Sequence, residues 1–307
     1  MYEKTHRYDK ARKYERAFLA AASTVALAVA TPAGAADFIG LTTGNEIGMF
    51  SSSSTSAATF TSITGLGAGE RILGIDLRPS NNRVYGVSSL NRIYTLDVAS
   101  GMATFMAALD TPLVNPSLSY GIDFNPVADF AGAASLRYVS NVGQNLAINV
   151  DTGVVGNAAS VIPSGFSAVA YTNSDASAMS GPASTALYYL NTTTDTLHVA
   201  PTAFNAPTIT TVGSLGISGN VIGANGFEID ASGMGWAALT LDNGDSGLYS
   251  IDLGTGLATF NGTLNANLRG FTSASFMAPV PEPETWGMLL SGLGLIGMMA
   301  RRRMRKA

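Results

Sequence analysis

The 307-residue chain is 46% apolar and only 12% charged, with 34 glycines and no cysteine. It can build a large core, it excludes disulfides and thiolate chemistry, and it suits short strands and tight turns better than helices. Its formal charge of −4 hides two basic ends around an acidic middle: residues 37–279 hold six arginines, no lysine and 16 acids, a formal charge of −10, which does not suit a nucleic-acid surface.

Residues 1–35 read as a secretory signal. Lys4, Arg7, Lys10, Arg12, Lys13 and Arg16 form the basic start, and an apolar run follows from Ala17 to Ala30. That run is apolar on every side, unlike an amphipathic helix, and too short to span a bilayer. Ala33-Gly34-Ala35 supplies the small-x-small pattern that signal peptidase accepts, which places cleavage after Ala35 or Ala36.

Residues 37–277 carry a repeated phrase: a Gly-led strand, a second strand with Tyr or Trp, a third ending in an Asp-containing turn, and a fourth of small residues. Gly74-Ile75-Asp76-Leu77-Arg78-Pro79 opens one copy, which turns at Asp97 into Ala103-Thr104-Phe105. Gly121-Ile122-Asp123-Phe124-Asn125-Pro126 opens the next, 47 residues on, and turns at Asp151-Thr152-Gly153. A more degenerate copy begins near Ser167, and another runs from Gly226-Phe227-Glu228-Ile229-Asp230 through a turn at Asp252 into Ala258-Thr259-Phe260. Phe38 to Thr42, Glu46 to Phe50 and Ala58 to Ile63 form a copy lacking its first strand, and Gly270 to Phe276 supplies that strand. The pattern predicts an all-β fold, a five-bladed β-propeller of four-stranded repeats closed by N- and C-terminal strands, with a β-sandwich as the alternative. Asp97, Asp151 and Asp252 are expected to cap turns through side chain–backbone hydrogen bonds.

The stretches Leu73 to Tyr85, Tyr120 to Pro126, Arg137 to Gly153 and Gly247 to Phe260 resemble an uncharacterised bacterial family known only as a domain of unknown function, with G-I-D-x-R-P and Y-G-x-D-F-N-P signatures. The resemblance covers most of Phe38 to Phe271. It implies a secreted all-β repeat domain and brings no activity.

The middle offers little for catalysis. Its one histidine, His198, stands in a strand-like stretch, and without Cys or Lys there is neither a thiolate nor a Schiff-base nucleophile. Carboxylates remain. Asp76, Asp123 and Asp230 sit near the first strand of three copies, where a propeller would turn them toward a central channel with room for a cation or sugar hydroxyls; the plainer alternative is that they face solvent or pair with arginine and backbone. Asp242-Asn243-Gly244-Asp245-Ser246-Gly247 is oxygen-rich but lacks the spaced ligands and distal Glu of an EF-hand loop, so a hairpin turn is expected. No motif calls for a cofactor.

The tail begins with a linker, residues 278–285, containing Pro281-Glu282-Pro283. An uncharged stretch from Trp286 to Ala300 follows, and residues 286–307 end in Arg301-Arg302-Arg303-Met304-Arg305-Lys306. As a helix that stretch would be about 22 Å long, short of the ~30 Å hydrocarbon core, so spanning calls for snorkelling arginines or local thinning. The basic cluster should stay cytoplasmic, leaving Pro281 outside. Gly292-Leu293-Gly294-Leu295-Ile296-Gly297 matches a dinucleotide fingerprint in letters only, because ten residues remain after it and no acid is among them. The arrangement resembles the PEP-CTERM sorting signal of Gram-negative bacteria. That resemblance implies recognition by an exosortase after signal-peptidase processing, transient inner-membrane anchoring, and a destination at the cell surface or in an exopolysaccharide matrix. The expected function is a non-catalytic binding or structural module, with a glycan hydrolase or lyase using channel carboxylates as the rival.

Overall fold

The computed structural model describes residues 36–114, 120–175 and 177–274. The expected signal segment with Ala33 and Ala35, and the tail with Pro281, Glu282, Pro283, the sorting helix, Arg301, Arg302 and Arg303, lie outside the described residues. No helix among the described residues is long and apolar enough to cross a membrane.

The chain enters through β1 (Asp37–Thr42), β2 (Glu46–Ser51) and β3 (Ser54–Ser62). A four-stranded meander follows: β4 (Ile72–Arg78), β5 (Arg83–Ser88), β6 (Arg92–Leu96) and β7 (Ala103–Ala108). A three-stranded sheet comes next: β8 (Tyr120–Phe124), β9 (Ser135–Ser140) and β10 (Asn145–Asn149). Two more meanders are β11 (Phe166–Tyr171), β12 (Leu187–Asn191), β13 (Thr196–Ala200) and β14 (Thr210–Ser214), then β15 (Val221–Ile229), β16 (Gly235–Leu241), β17 (Ser246–Ile251) and β18 (Ala258–Thr263). Finally β19 (Leu268–Ser273) pairs antiparallel with β1, Phe38 opposite Ser273 and Gly40 opposite Phe271, giving the order β19-β1-β2-β3. The first strands pack in the cyclic order β19, β4, β8, β11, β15 and back to β19. These are five blades of a β-propeller, and the two chain ends share the first.

The core is accordingly not one body but five layers, each between neighbouring blades. Ile39 and Leu41 of β1 pack with Ile72, Ile75 and Leu77 of blade 2, while Phe38 packs with Ala238 and Leu248 of blade 5. Tyr85 and Val87 meet Phe124 and Leu136 between blades 2 and 3, Val139 meets Val169 and Tyr189 between blades 3 and 4, and Ala168 and Leu190 meet Phe227 and Ile229 between blades 4 and 5. Alternate residues of a strand point to opposite faces, so a first strand with neighbours on both faces must be apolar or small throughout. Close inner contact then requires glycine: a Cβ on Gly121 would lie 2.5 Å from Val169 N.

Blade 3 departs from the four-stranded expectation. Beside β10 only isolated bridges form, Ile148 with Val155 and Gln144 with Val161. Between them the Asn157 side chain stands in for a strand: its Oδ1 accepts from Ala147 N, and its Nδ2 donates to Asn145 O at 2.8 Å. The edge is thereby covered without a fourth strand.

The turns explain a second difference. Asp97 Oδ1 accepts from Ser100 N at 2.7 Å, and Asp252 Oδ1 accepts from Gly254 N and Thr255 N at 2.8 and 2.9 Å, as expected. In blade 3 this task falls to Asn149, whose Oδ1 accepts from Asp151 N and Thr152 N at 3.0 and 3.1 Å. Asp151 is released from capping and instead accepts from Arg78 Nη1 at 2.8 Å. The Asp242–Gly247 segment is a hairpin connection between β16 and β17, with Asn243 and Asp245 bonded to each other.

Candidate functional site

At the propeller axis four of the five first strands place one polar residue each, two positions after the glycine of the repeat. From Gly74, Gly121, Gly226 and Gly270 this gives Asp76, Asp123, Glu228 and Thr272. Asp76, Asp123 and Glu228 are 1–3% exposed, and one carboxylate oxygen from each lies within 4.8 Å of the others. Asp76 and Asp123 therefore meet at the axis. Asp230 does not join them. Its Oδ1 accepts from Ser232 N at 2.9 Å and Met234 N at 3.1 Å, and its Oδ2 from Trp236 Nε1 at 2.8 Å, which makes it the organiser of the β15–β16 turn. It stands four positions after Gly226, not two. Counting from the repeat glycine finds Glu228 and Thr272, which matching acids by residue type does not.

Backbone amides and one hydroxyl hold the cluster. Asp76 Oδ1 accepts from Leu77 N at 2.7 Å and Oδ2 from Phe124 N at 2.6 Å. Asp123 Oδ1 accepts from Tyr171 N at 3.2 Å, and Glu228 accepts from Ile229 N and Ser273 N, both at 3.2 Å. Thr272 Oγ1 accepts from Leu77 N at 3.1 Å and lies 2.7 Å from Asp76 Oδ1 and 3.0 Å from Glu228 Oε2. Blades 1, 2, 3 and 5 thus each reach into the next. No arginine forms an ion pair with the three acids among the described residues; the ion pairs there are Arg78 with Asp129 and Asp151, and Arg92 with Glu70.

Burial disfavours ionisation. It pushes Asp76 up to about 7, against hydrogen bonds from Thr272, Phe124 and Leu77 that act the other way. Burial also drives Asp123 and Glu228 well above the ordinary carboxylate range, reinforced by the negative charge of Asp76 and, for Asp123, of Glu228. On one side the cluster borders a cavity of about 10 Å³ lined by Asp76, Glu228, Thr272, Ser273, Ser174 and Asp175. Toward the other mouth, a second cavity of about 10 Å³ is ringed by Gly74, Gly121, Gly226 and Gly270, with Arg269 and Tyr120. Each holds about one water-sized occupant.

The other polar candidates hold the fold together. His198 on β13 is half-buried, bonded to Thr196 Oγ1 at 2.8 Å and Thr211 Oγ1 at 3.3 Å, with its ring 5.1 Å from that of Phe166. Burial holds its pKa below the ordinary value. Glu70, buried in the connection between β3 and β4, accepts from Ser88 Oγ, Tyr94 OH, Gly67 N and Arg92 Nη1. Arg137 is buried without a carboxylate, donating to Tyr171 OH, Asn145 Oδ1 and Asn205 Oδ1. Nothing in the sequence pattern singled out Glu70 or Arg137, because their partners come from other strands and blades.

A closed ring of five blades around an axial carboxylate group defines the class: a five-bladed β-propeller. The chain belongs to the family described as Domain of unknown function (DUF4394), whose model matches residues 46–272. Residues 279–303 match the PEP-CTERM protein-sorting motif, which implies exosortase processing and export to the cell envelope or surface. No match was found among curated proteins. Similar solved structures include a protein of unknown function from Bacteroides thetaiotaomicron, 13% identical with a TM-score of 0.45 over 71% of this chain and 55% of that one. A calcium-binding protein, regucalcin, from Agrobacterium tumefaciens is 15% identical with a TM-score of 0.39, covering 71% of this chain and 66% of that one. TolB from Acinetobacter baumannii is 12% identical with a TM-score of 0.40, covering 73% and 52%. The chain spans between about half and two thirds of the length of these three proteins.

Proposed function

We propose that the exported propeller is a non-catalytic surface module that binds matrix polysaccharide through the outer strands of its blades. The observation that carries this reading is a threefold Ala-Thr-Phe on the fourth strands of blades 5, 1 and 2, which are consecutive around the ring: Ala258-Thr259-Phe260, Ala58-Thr59-Phe60 and Ala103-Thr104-Phe105. Phe105 and Phe260 are 54% and 56% exposed, and each sets its ring edge-on against a tyrosine, Tyr94 at 5.9 Å and Tyr249 at 5.4 Å. Exposed aromatic faces held by a partner ring are apolar platforms of low conformational entropy, suited to the apolar faces of sugar rings. The sorting motif supports delivery to where such polymers lie.

The rival reading, a glycan hydrolase or lyase using the axial acids, is less well supported. A pyranose ring does not enter a cavity of about 10 Å³, and the acids are 1–3% exposed. Co-sedimentation of the full mature protein with the exopolysaccharide of its host tests both readings. Retention by the polymer is expected, with a marked loss in the Phe105→Ala/Phe260→Ala double variant at unchanged melting temperature. Retention that ignores both substitutions would remove the platform from the account. Polymer cleavage lost on Asp76→Asn or Asp123→Asn, in a folded protein, would establish the rival.

The same reading places the mature N-terminus at Ala36. Its N donates to Ser52 Oγ at 2.9 Å and its O accepts from Ser52 N at 2.8 Å, tying the chain end to the closing blade. Intact-mass measurement is expected to show a chain starting at Ala36; a start at Asp37 would mean these contacts are dispensable.

A further inference from the structure

We propose that Asp76, Asp123 and Glu228, with Thr272, form a calcium site at the propeller axis that ties the closing strand to the ring. The proposal stands apart from the polysaccharide reading and does not need it.

Two features beyond the gathering of acids point to a ligand. The first is Asp123. Its side chain is almost fully buried, its Oδ1 receives a single long hydrogen bond from Tyr171 N, and no hydrogen bond reaches its Oδ2 among the described residues. A buried carboxylate has room for about four hydrogen bonds and is costly when so few are made. The second is Thr272. Its hydroxyl carries one proton and already accepts from Leu77 N, yet it lies within hydrogen-bond distance of both Asp76 Oδ1 and Glu228 Oε2. The hydroxyl proton serves only one of the two carboxylates, so whenever both are ionised the other contact is repulsive. A cation shared by the oxygens removes the repulsion and fills the open position on Asp123 together.

The geometry fits calcium. Three oxygens, each within 4.8 Å of the others, lie close to the spacing of about 4.5 Å at which one ion would meet all three at the ~2.3–2.6 Å Ca²⁺–oxygen distance, so small side-chain shifts bring them into range. Calcium takes six to eight oxygens in flexible geometry, so bidentate carboxylates, Thr272 Oγ1 and a water complete the shell. The adjoining cavity lined by Asp76, Glu228, Thr272 and Asp175 has space for that water and offers a path to solvent. Magnesium would demand near-ideal octahedral placement and retain several waters, for which cavities of about 10 Å³ leave no space. The ligands come from blades 1, 2, 3 and 5, and Thr272 lies on β19 beside the N-terminal strand. Bound calcium would therefore stabilise ring closure itself, since any ligand that binds only the folded state raises its stability.

The test is calorimetric titration of CaCl₂ into the chelator-stripped full mature protein at pH 8, with melting temperature recorded with and without excess calcium. One Ca²⁺ per chain and a calcium-dependent rise in melting temperature are expected. Asp123→Asn and Glu228→Gln, close in size to the native residues, should weaken binding by more than about tenfold. Asp230→Asn should leave binding unchanged. Thr272→Val, which keeps all three acids, should retain stoichiometric binding with reduced affinity and so guards against variants that fail to fold. No heat of binding and an unmoved melting temperature in the native protein would overturn the proposal, and so would calcium binding that survives Asp123→Asn and Glu228→Gln but is lost in Asp230→Asn. Loss of polysaccharide retention without any change in calcium binding would instead strike only the proposed function.

Discussion

Replacing Arg78 with methionine is expected to destabilise the propeller by about 3–5 kcal/mol, the cost of leaving one member of a buried ion pair alone. Arg78 Nε donates to Asp129 Oδ1 at 2.6 Å, and the Asp129 side chain is fully shielded from solvent. The guanidinium carbon also lies 5.7 Å from the Tyr85 ring centroid and 5.9 Å from that of Phe124, across the interface of blades 2 and 3. Methionine keeps most of the packing volume but strands the Asp129 charge, whose remaining oxygen accepts, among the described residues, from Ser80 N at 3.0 Å. At roughly 2–4 °C per kcal/mol for a domain of this size, the melting temperature should fall by about 10 °C. The Arg78→Met/Asp129→Asn pair should recover much of that loss, because a neutral amide tolerates burial far better than an unpaired carboxylate. Asp151→Ala should cost less than about 1 kcal/mol, since the Asp151 side chain is half exposed and its pair with Arg78 is screened by solvent. Urea denaturation of the three variants decides the matter. Equal effects of Arg78→Met and Asp151→Ala would mean that the buried pair has no special weight.

Gly121→Ala is expected to have an effect of similar size by a different route. The added Cβ would lie 2.5 Å from Val169 N and 2.7 Å from Ala168 C and Cα, all backbone atoms of the adjacent first strand. Neither strand can yield without moving a blade, so a loss at or beyond the usual ~1–3 kcal/mol of overpacking is expected. Gly74 is the comparison, for it holds the same place in blade 2. There the nearest atoms are Ile122 Cγ1 and Cδ1 at 3.1 and 3.3 Å, side-chain rather than backbone atoms, which need give by only a few tenths of an ångström. Gly74→Ala should therefore cost clearly less than Gly121→Ala in the same urea titration. The reverse order would show that ring spacing is not set by backbone contact at blade 3.

Both predictions concern how neighbouring blades meet, and so does the axial cluster. Asp76 bonds Phe124 N in blade 3, Asp123 bonds Tyr171 N in blade 4, and Glu228 bonds Ser273 N in blade 1. Each acid lies on one first strand and caps the next. Four of the five blade junctions are thus stitched at the centre by side chains as well as by apolar layers, with Thr272 linking blade 1 back to Asp76.

What the sequence determined by itself is what short-range chemistry encodes. Glycine-led strands, Asp-x-x turns and the Ala-Thr-Phe of the outer strands repeat because each blade solves the same local problem. Incomplete copies at the two ends of the domain then foretold the β1–β19 pairing that closes blade 1. The basic, apolar and Pro-Glu-Pro segments were legible for the same reason: sorting signals are read as linear order and composition.

Only the tertiary structure decided which side chains meet. Asp230 and Glu228 are two residues apart and would face the same side of a regular strand, yet only Glu228 reaches the axis, because Asp230 lies beyond the end of β15 in the turn that Trp236 anchors. Asp151 looked like the turn cap of its repeat until Asn149 was found in that role and Asp151 facing Arg78. Asn157 replaced a strand that the repeat pattern demanded. In each case the deciding contact joins residues distant in the chain or depends on where a strand ends, and strand ends and blade spacing are set by packing between blades. Local sequence specifies the strands and turns, while the closed ring selects which of their polar groups lie together in its dry centre.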